Sequence, residues 1–174
     1  MGIHHVALAT RDVEATHAFY TGPMGFKLSK VEVAKAGDAG FAKHLFYDTG
    51  GHGMIAFWDI HDPALPADWS AAISDGLGLP RWANHVAFTA HSAEELDGHL
   101  ARWREHGLFC WEIDHGWCRS IYVNDPNDIM VEFCLTTREF TAADLSDAER
   151  LLHEPNPTVG DPPRVEAYPP EQKA

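Results

Sequence analysis

The chain has 174 residues, 45% of them hydrophobic and 11% aromatic, with 26 acidic against 13 basic side chains and a formal charge of −13. That is the size and composition of one globular domain with a real core, and so acidic a surface is a poor partner for nucleic acid. No run approaches the ~18 apolar residues of a membrane span, Met1-Gly2-Ile3-His4-His5 lacks the regions of a secretion signal, and Cys110, Cys118 and Cys134 show no motif spacing, so reduced thiols in a cytoplasmic protein are expected.

A first module, residues 1–59, opens with a short strand over 3–10 containing His4-His5-Val6-Ala7-Leu8-Ala9. The pattern over 12–21 is helical and stops at Gly22-Pro23. Three strands follow, over 26–33, 41–47 and 52–58, the last two joined by the turn Asp48-Thr49-Gly50-Gly51. Residues 60–81 form a linker holding Pro63, Pro66 and Pro80. Loops of this length are commonly functional or connecting, so it is expected to join two modules and to shape a pocket mouth.

The second module, residues 82–140, repeats the order. A strand covers 83–90. Ser92 with Glu95 forms a capping box, Leu96, Leu100 and Trp103 recur at helical spacing, and Gly107 ends the helix. Strands are expected over 108–113, 118–124 and 129–136, with Asp125-Pro126-Asn127-Asp128 as the turn between the last two. The segment 141–174 begins with a helix over about 141–152, capped by Thr141 and Asp144. Its remainder, from 153, holds six of the 11 prolines and is expected to be extended, either wrapping a surface or disordered.

The order βαβββ occurs twice, and matched places in the repeat carry the chemistry. His5 and His85 each precede Val-Ala. Each module closes on a similar strand, Met54-Ile55-Ala56-Phe57 in the first and Met130-Val131-Glu132-Phe133 in the second. Side chains two apart in a strand share a face, so His5, His85 and Glu132 can project from three strands toward one cavity. An unpaired carboxylate in the apolar strand around Glu132 is costly, so a metal or another cation should face it. Two neutral imidazoles and one carboxylate, with positions left open, form the ligand set of a non-heme Fe(II) oxygenase. Each module alone offers an incomplete set, so both modules of one chain are expected to build the site, in a homo-oligomer, most simply a homodimer. His17, His91, His99 and His106 lie on helices or their ends and are expected at solvated positions for the most part. His44 and His61 carry no motif context, although His61 could line the mouth.

The chain resembles the vicinal oxygen chelate superfamily over roughly residues 3–136: glyoxalases, fosfomycin and bleomycin resistance proteins, and type I extradiol dioxygenases. The likeness rests on His5-Val-Ala-Leu-Ala-Thr-Arg-Asp-Val-Glu, Phe19-Tyr20 and Met24-Gly25-Phe26 at the start, and on Arg119-Ser-Ile-Tyr-Val-Asn-Asp-Pro and Val131-Glu132-Phe133 at the end. The resemblance implies an α+β fold in which two βαβββ modules form a curved mixed sheet around a metal site, with helices on the outer face. Glyoxalases usually place a fourth, carboxylate ligand where this chain has Ala56, and alanine cannot ligate. Three protein ligands leave room for a bidentate catecholate and O₂. The resemblance to small extradiol enzymes implies Fe(II), with Mn(II) as the other candidate. It also implies His52, four residues before Ala56, as acid–base residue near the O₂ site, and Tyr122, ten residues before Glu132, as hydrogen-bond partner of the substrate hydroxyl. His115 is implied as a pocket histidine, its spacing departing from the pattern by about two residues. The expected partners are a catechol-type substrate and O₂, without nucleic acid or membrane. A glyoxalase-like or epimerase-like lyase or isomerase, and a drug-binding resistance protein of the same fold, stand as alternatives.

Overall fold

A computed structural model describes residues 2–171. Strand β1 (His5–Thr10) leads into helix α1 (Val13–Thr21), capped by the Asp12 carboxylate, which accepts from the Ala15 amide at 2.9 Å. Strands β2 (Lys27–Ala36), β3 (Gly40–Asp48) and β4 (Met54–His61) complete the first module. They form a sheet of order β1-β4-β3-β2, in which β1 runs parallel to β4 and the other pairs are antiparallel. The second module repeats this with β5 (His85–Thr89), helix α2 (Ala93–Glu105), β6 (Cys110–Asp114), β7 (Cys118–Asn124) and β8 (Met130–Thr136). Helix α3 (Ala142–Leu152) follows, and β9 (Arg164–Tyr168) pairs antiparallel with β6, giving the order β5-β8-β7-β6-β9. The fold is α+β with two mixed sheets of four and five strands, so the βαβββ modules are present but their strands form two sheets rather than one.

The capping signals act locally. Ser92 Oγ accepts from the Glu95 amide at 3.1 Å, and the Glu95 carboxylate accepts from His91 N at 2.7 Å, one residue upstream of the position a closed box would use. Thr141 and Asp144 make the full reciprocal box at α3. Residues 153–171 do more than wrap a surface, since five of them add a strand whose Tyr168 hydroxyl donates to the Glu112 carboxylate at 3.1 Å.

The strand expected from residue 52 begins at Met54 instead. Gly50, Gly51 and His52 all have positive φ, at 83°, 56° and 70°. Three left-handed residues in succession hold the chain in a turn, which the Thr49 amide closes by donating to the Gly53 carbonyl at 3.1 Å.

Helices α1 and α2 pack on one side of the sheets, and the two modules share one core there. It joins Tyr20, Tyr47, Ile55 and Phe57 to Leu96, Trp103, Ile121, Val131 and Phe133. Phe26 lies 4.9 Å from Phe88, the Tyr20 hydroxyl donates to Asp125 at 3.1 Å, and the Arg102 guanidinium donates to the carbonyls of Pro23 and Met24 at 2.7 and 3.1 Å. The linker is pinned as well: Arg11 donates to the Ala67 and Trp69 carbonyls, and the Asn84 amide donates to Ser74 Oγ at 2.9 Å. Because alternate residues take the core-facing positions, the opposite face of each sheet is left for other work. No helix among the described residues is long and apolar enough to cross a membrane.

Candidate functional site

On the open face of the second sheet, register brings three of the expected side chains together. Glu132 pairs with Ala87 on one side and Tyr122 on the other, and His85 stands one step along the same row of β5. His85 Nε2 lies 3.1 Å from Glu132 Oε2, and the Glu132 side chain is only 7% exposed. His85 Nδ1 lies 2.9 Å from the Trp82 carbonyl. A carbonyl only accepts, so Nδ1 carries the hydrogen, and in the neutral ring Nε2 is a bare lone pair. Lone pairs of an imidazole and a carboxylate at 3.1 Å require a proton or a cation between them. A second-row hydrogen bond that fixes the tautomer is also how ligating histidines are commonly held.

Tyr122 is buried beside this pair, its ring 6.3 Å from that of His85. Burial, reinforced by the Glu132 charge, pushes its phenol well above the ordinary range, so it is a neutral donor at neutral pH. Its hydroxyl lies 3.1 Å from His115 Nε2, in the turn between β6 and β7. Asn124, on the same face, has a buried Oδ1 without a hydrogen-bond partner.

The first sheet contributes a separate group. His5 stands on the open face of β1, exposed, with Nδ1 2.8 Å from His4 Nδ1 and its ring 5.6 Å from Phe46 and 6.1 Å from His44. His5 is not gathered with His85 and Glu132: among the described residues no three His, Cys, Asp or Glu side chains cluster closely enough to hold a metal ion. The expected trio is thus assembled as a pair, with the third donor on the neighbouring sheet. The donor chemistry of the pair suits a divalent ion: one tautomer-locked imidazole and one buried carboxylate facing it. Ala56 is fully buried and brings no donor.

His52 needs a correction in place. It is exposed, in the turn before β4, and does not begin the strand that carries Ala56. One other histidine also differs from expectation. His99 is not fully solvated; it stacks on Phe133 at 3.7 Å, and burial with Arg102 nearby lowers its pKa to about 4. His61 ends β4, 2.9 Å from the Asp59 carboxylate, and lines a hollow with Pro63 and Pro66 of the linker.

His44 is the residue that sequence reasoning passed over. It sits in β3 on the open face, 7% exposed, stacked on Trp58 at 3.8 Å and packed against Phe46 at 4.0 Å. Its Nε2 is buried without a hydrogen-bond partner. Burial, then the neighbouring His5, lowers its pKa. The available signal was alternation: Ala42, His44 and Phe46 share a face in the strand that Phe41–Tyr47 suggests.

A cleft of about 690 Å³ opens elsewhere, between the modules, lined by Phe26, His99, Arg102 and Phe133 together with the Gly50-Gly51 turn. It does not include the His85–Glu132 pair.

The family model of the glyoxalase/bleomycin resistance protein/dioxygenase superfamily matches residues 2–133. The fold is similar to a glyoxylase/bleomycin resistance protein/dioxygenase domain from Frankia sp. EAN1pec, with a TM-score of 0.59 and 20% identity over 78% of this chain and 98% of that one. It is also similar to a lactoylglutathione lyase from Agrobacterium tumefaciens, with a TM-score of 0.51 and 21% identity over 77% and 92% of the two chains. A third likeness is to TnmS3, an antibiotic binding protein from Streptomyces sp. CB03234, with a TM-score of 0.53 and 17% identity over 79% and 97%. At these identities the likenesses establish the fold. The search of curated proteins returned no match.

Proposed function

The chain belongs to the glyoxalase/bleomycin resistance protein/dioxygenase superfamily, and on that premise we propose that it is an Fe(II)-dependent extradiol dioxygenase opening a catechol-type ring with O₂. The observation that carries this reading is the His85–Glu132 pair at 3.1 Å, its imidazole tautomer locked by the Trp82 carbonyl, beside a buried neutral tyrosine. His85, Glu132 and His5 are the proposed ligands. Their ion, Fe(II) or, as second choice, Mn(II), would supply Lewis acidity and electron transfer between substrate and O₂.

The protein's own groups do the rest. Tyr122 donates its hydroxyl hydrogen to a substrate oxygen and orients the ring. His115 Nε2, 3.1 Å from that hydroxyl and itself exposed, exchanges the proton with solvent. His52 is proposed as a second acid–base group, reaching the face from its turn. A dimer with intrachain sites in a cytoplasmic setting is the proposed working form.

One observation favours a second reading. His52 stands exposed in a turn, so the residue that would most distinguish O₂ chemistry is not on the face itself. An enediolate lyase or isomerase needs no such group. The two are separated by anaerobic loading with Fe(II) followed by a catechol panel. Oxygen uptake with the rise of a yellow ring-fission product supports the dioxygenase. No uptake, with anaerobic turnover of a glutathione hemithioacetal, replaces it with the lyase.

A further inference from the structure

His44 presents a buried hydrogen-bonding atom, Nε2, that has no partner among the described residues. Its ring is held edge and face by Trp58, stacked at 3.8 Å with an interplanar angle of 11°, and by Phe46 at 4.0 Å. That packing is what a phenylalanine would want, yet a polar ring occupies it. A buried donor or acceptor left unpaired costs roughly 1–3 kcal/mol, and such groups are rare enough to call for a cause. The ring of His5 stands near it, T-shaped, with its centre 6.1 Å away. Glu32, opposite His44 on β2, is engaged with Lys30 at 2.9 Å and does not pair with the imidazole.

We propose that His44 is a substrate-contacting residue, its imidazole accepting a hydrogen bond from a hydroxyl of the bound catechol-type ring while Trp58 and Phe46 fix its orientation. On this proposal His5, whose ring centre lies 6.1 Å from that of His44 on the same open face, swings away when it binds the ion and so opens the imidazole edge to substrate. The contact lies on the first sheet and Tyr122 on the second, so the proposal has the ring held by both modules. This deepens the catechol reading above and rests on it.

The test compares wild type with His44→Phe and His44→Gln, all as full-length protein. Apo stability is read by thermal unfolding, metal by elemental analysis after anaerobic Fe(II) loading, and binding by the absorbance change of 4-nitrocatechol. A purely structural histidine would lose stability on replacement. Here His44→Phe should raise the apo Tm by roughly 2–4 °C, since an unpaired polar atom is removed from an aromatic slot. The same variant should keep its iron and bind 4-nitrocatechol about tenfold more weakly. His44→Gln, which can still accept, should recover part of that loss. A lower Tm in His44→Phe, lost iron, or unchanged nitrocatechol affinity each overturns the assignment while leaving the catechol reading standing. Failure of the wild type to bind 4-nitrocatechol overturns both.

Discussion

At the scale of single residues, the His85–Glu132 contact makes a sharp demand. Glu132→Gln keeps size and burial but exchanges a carboxylate for an amide that can donate to His85 Nε2, so the pair no longer needs a cation. Iron bound after anaerobic loading should fall by about tenfold or more, an effect at least as large as the loss of a group that merely supports a ligand. Unchanged iron content would remove Glu132 from the ligand set. His52→Ala should behave in the opposite way, keeping iron and slowing turnover by ~10²–10⁴-fold if the turn histidine is an acid–base group. Full activity would return it to a turn residue and favour the lyase. The internal repeat, with the same tripeptide opening both modules and similar strands closing them, pointed to His5, His85 and Glu132, of which the structure brings His85 and Glu132 together and leaves His5 on the other sheet. His52 was misplaced for a local reason: counting back from Ala56 assumes an extended chain, and two glycines followed by a histidine at φ 70° break that count. Alternation could have put His44 on the open face, but not its burial against Trp58, which the β3–β4 register brings beside it.

At the scale of elements, the caps and turns were readable and the sheet edges were not. Ser92 and Thr141 announced their helices through side chains three residues away. β9 carried no such signal, since its pairing is chosen by the open edge of β6 and by charges already on it: Arg119 joins Glu112 and Asp97, and Tyr168 reaches the same Glu112. Truncation after residue 158 should therefore leave the core intact but expose the β6 edge. Light scattering should then show concentration-dependent association that the full chain lacks. A monodisperse truncated chain would mean that β9 protects nothing. Helix α3 buries none of its residues, so it leans on its cap and on ion pairs such as Arg138–Asp144. Thr141→Ala should cost the helix about 1 kcal/mol, seen as faster amide exchange within 142–152, with no matching change in the global Tm.

At the scale of the whole molecule, titration is built into the fold. All four tyrosines, Tyr20, Tyr47, Tyr122 and Tyr168, are held above their ordinary range, by burial in the first three and by the Glu166 carboxylate in Tyr168. Unfolded phenols ionise near ~10, so this contribution is fully present below that pH and is lost as pH rises past it toward about 12, where Tyr47 titrates. Phenolate absorbance and far-UV circular dichroism should change together; a phenolate appearing near pH 10 with the fold intact would contradict the burial. His99 acts at the other end. Its folded pKa of about 4 lies below the unfolded value, so stability is present above ~6.5 and falls as pH drops toward 4. His99→Phe keeps the stack on Phe133 and should flatten that part of the Tm–pH curve.

The pairing of β6 with β9 also has a consequence in time. β6 is made well before the residues that cover it, with β7, β8 and α3 in between. At roughly 5–20 residues per second of synthesis, β6 waits on the order of seconds before β9 emerges. Several nascent chains on one messenger would present the same bare strand side by side during that interval. Slower translation of the stretch after α3 should therefore lower the yield of soluble protein without changing the stability of the molecules that finish.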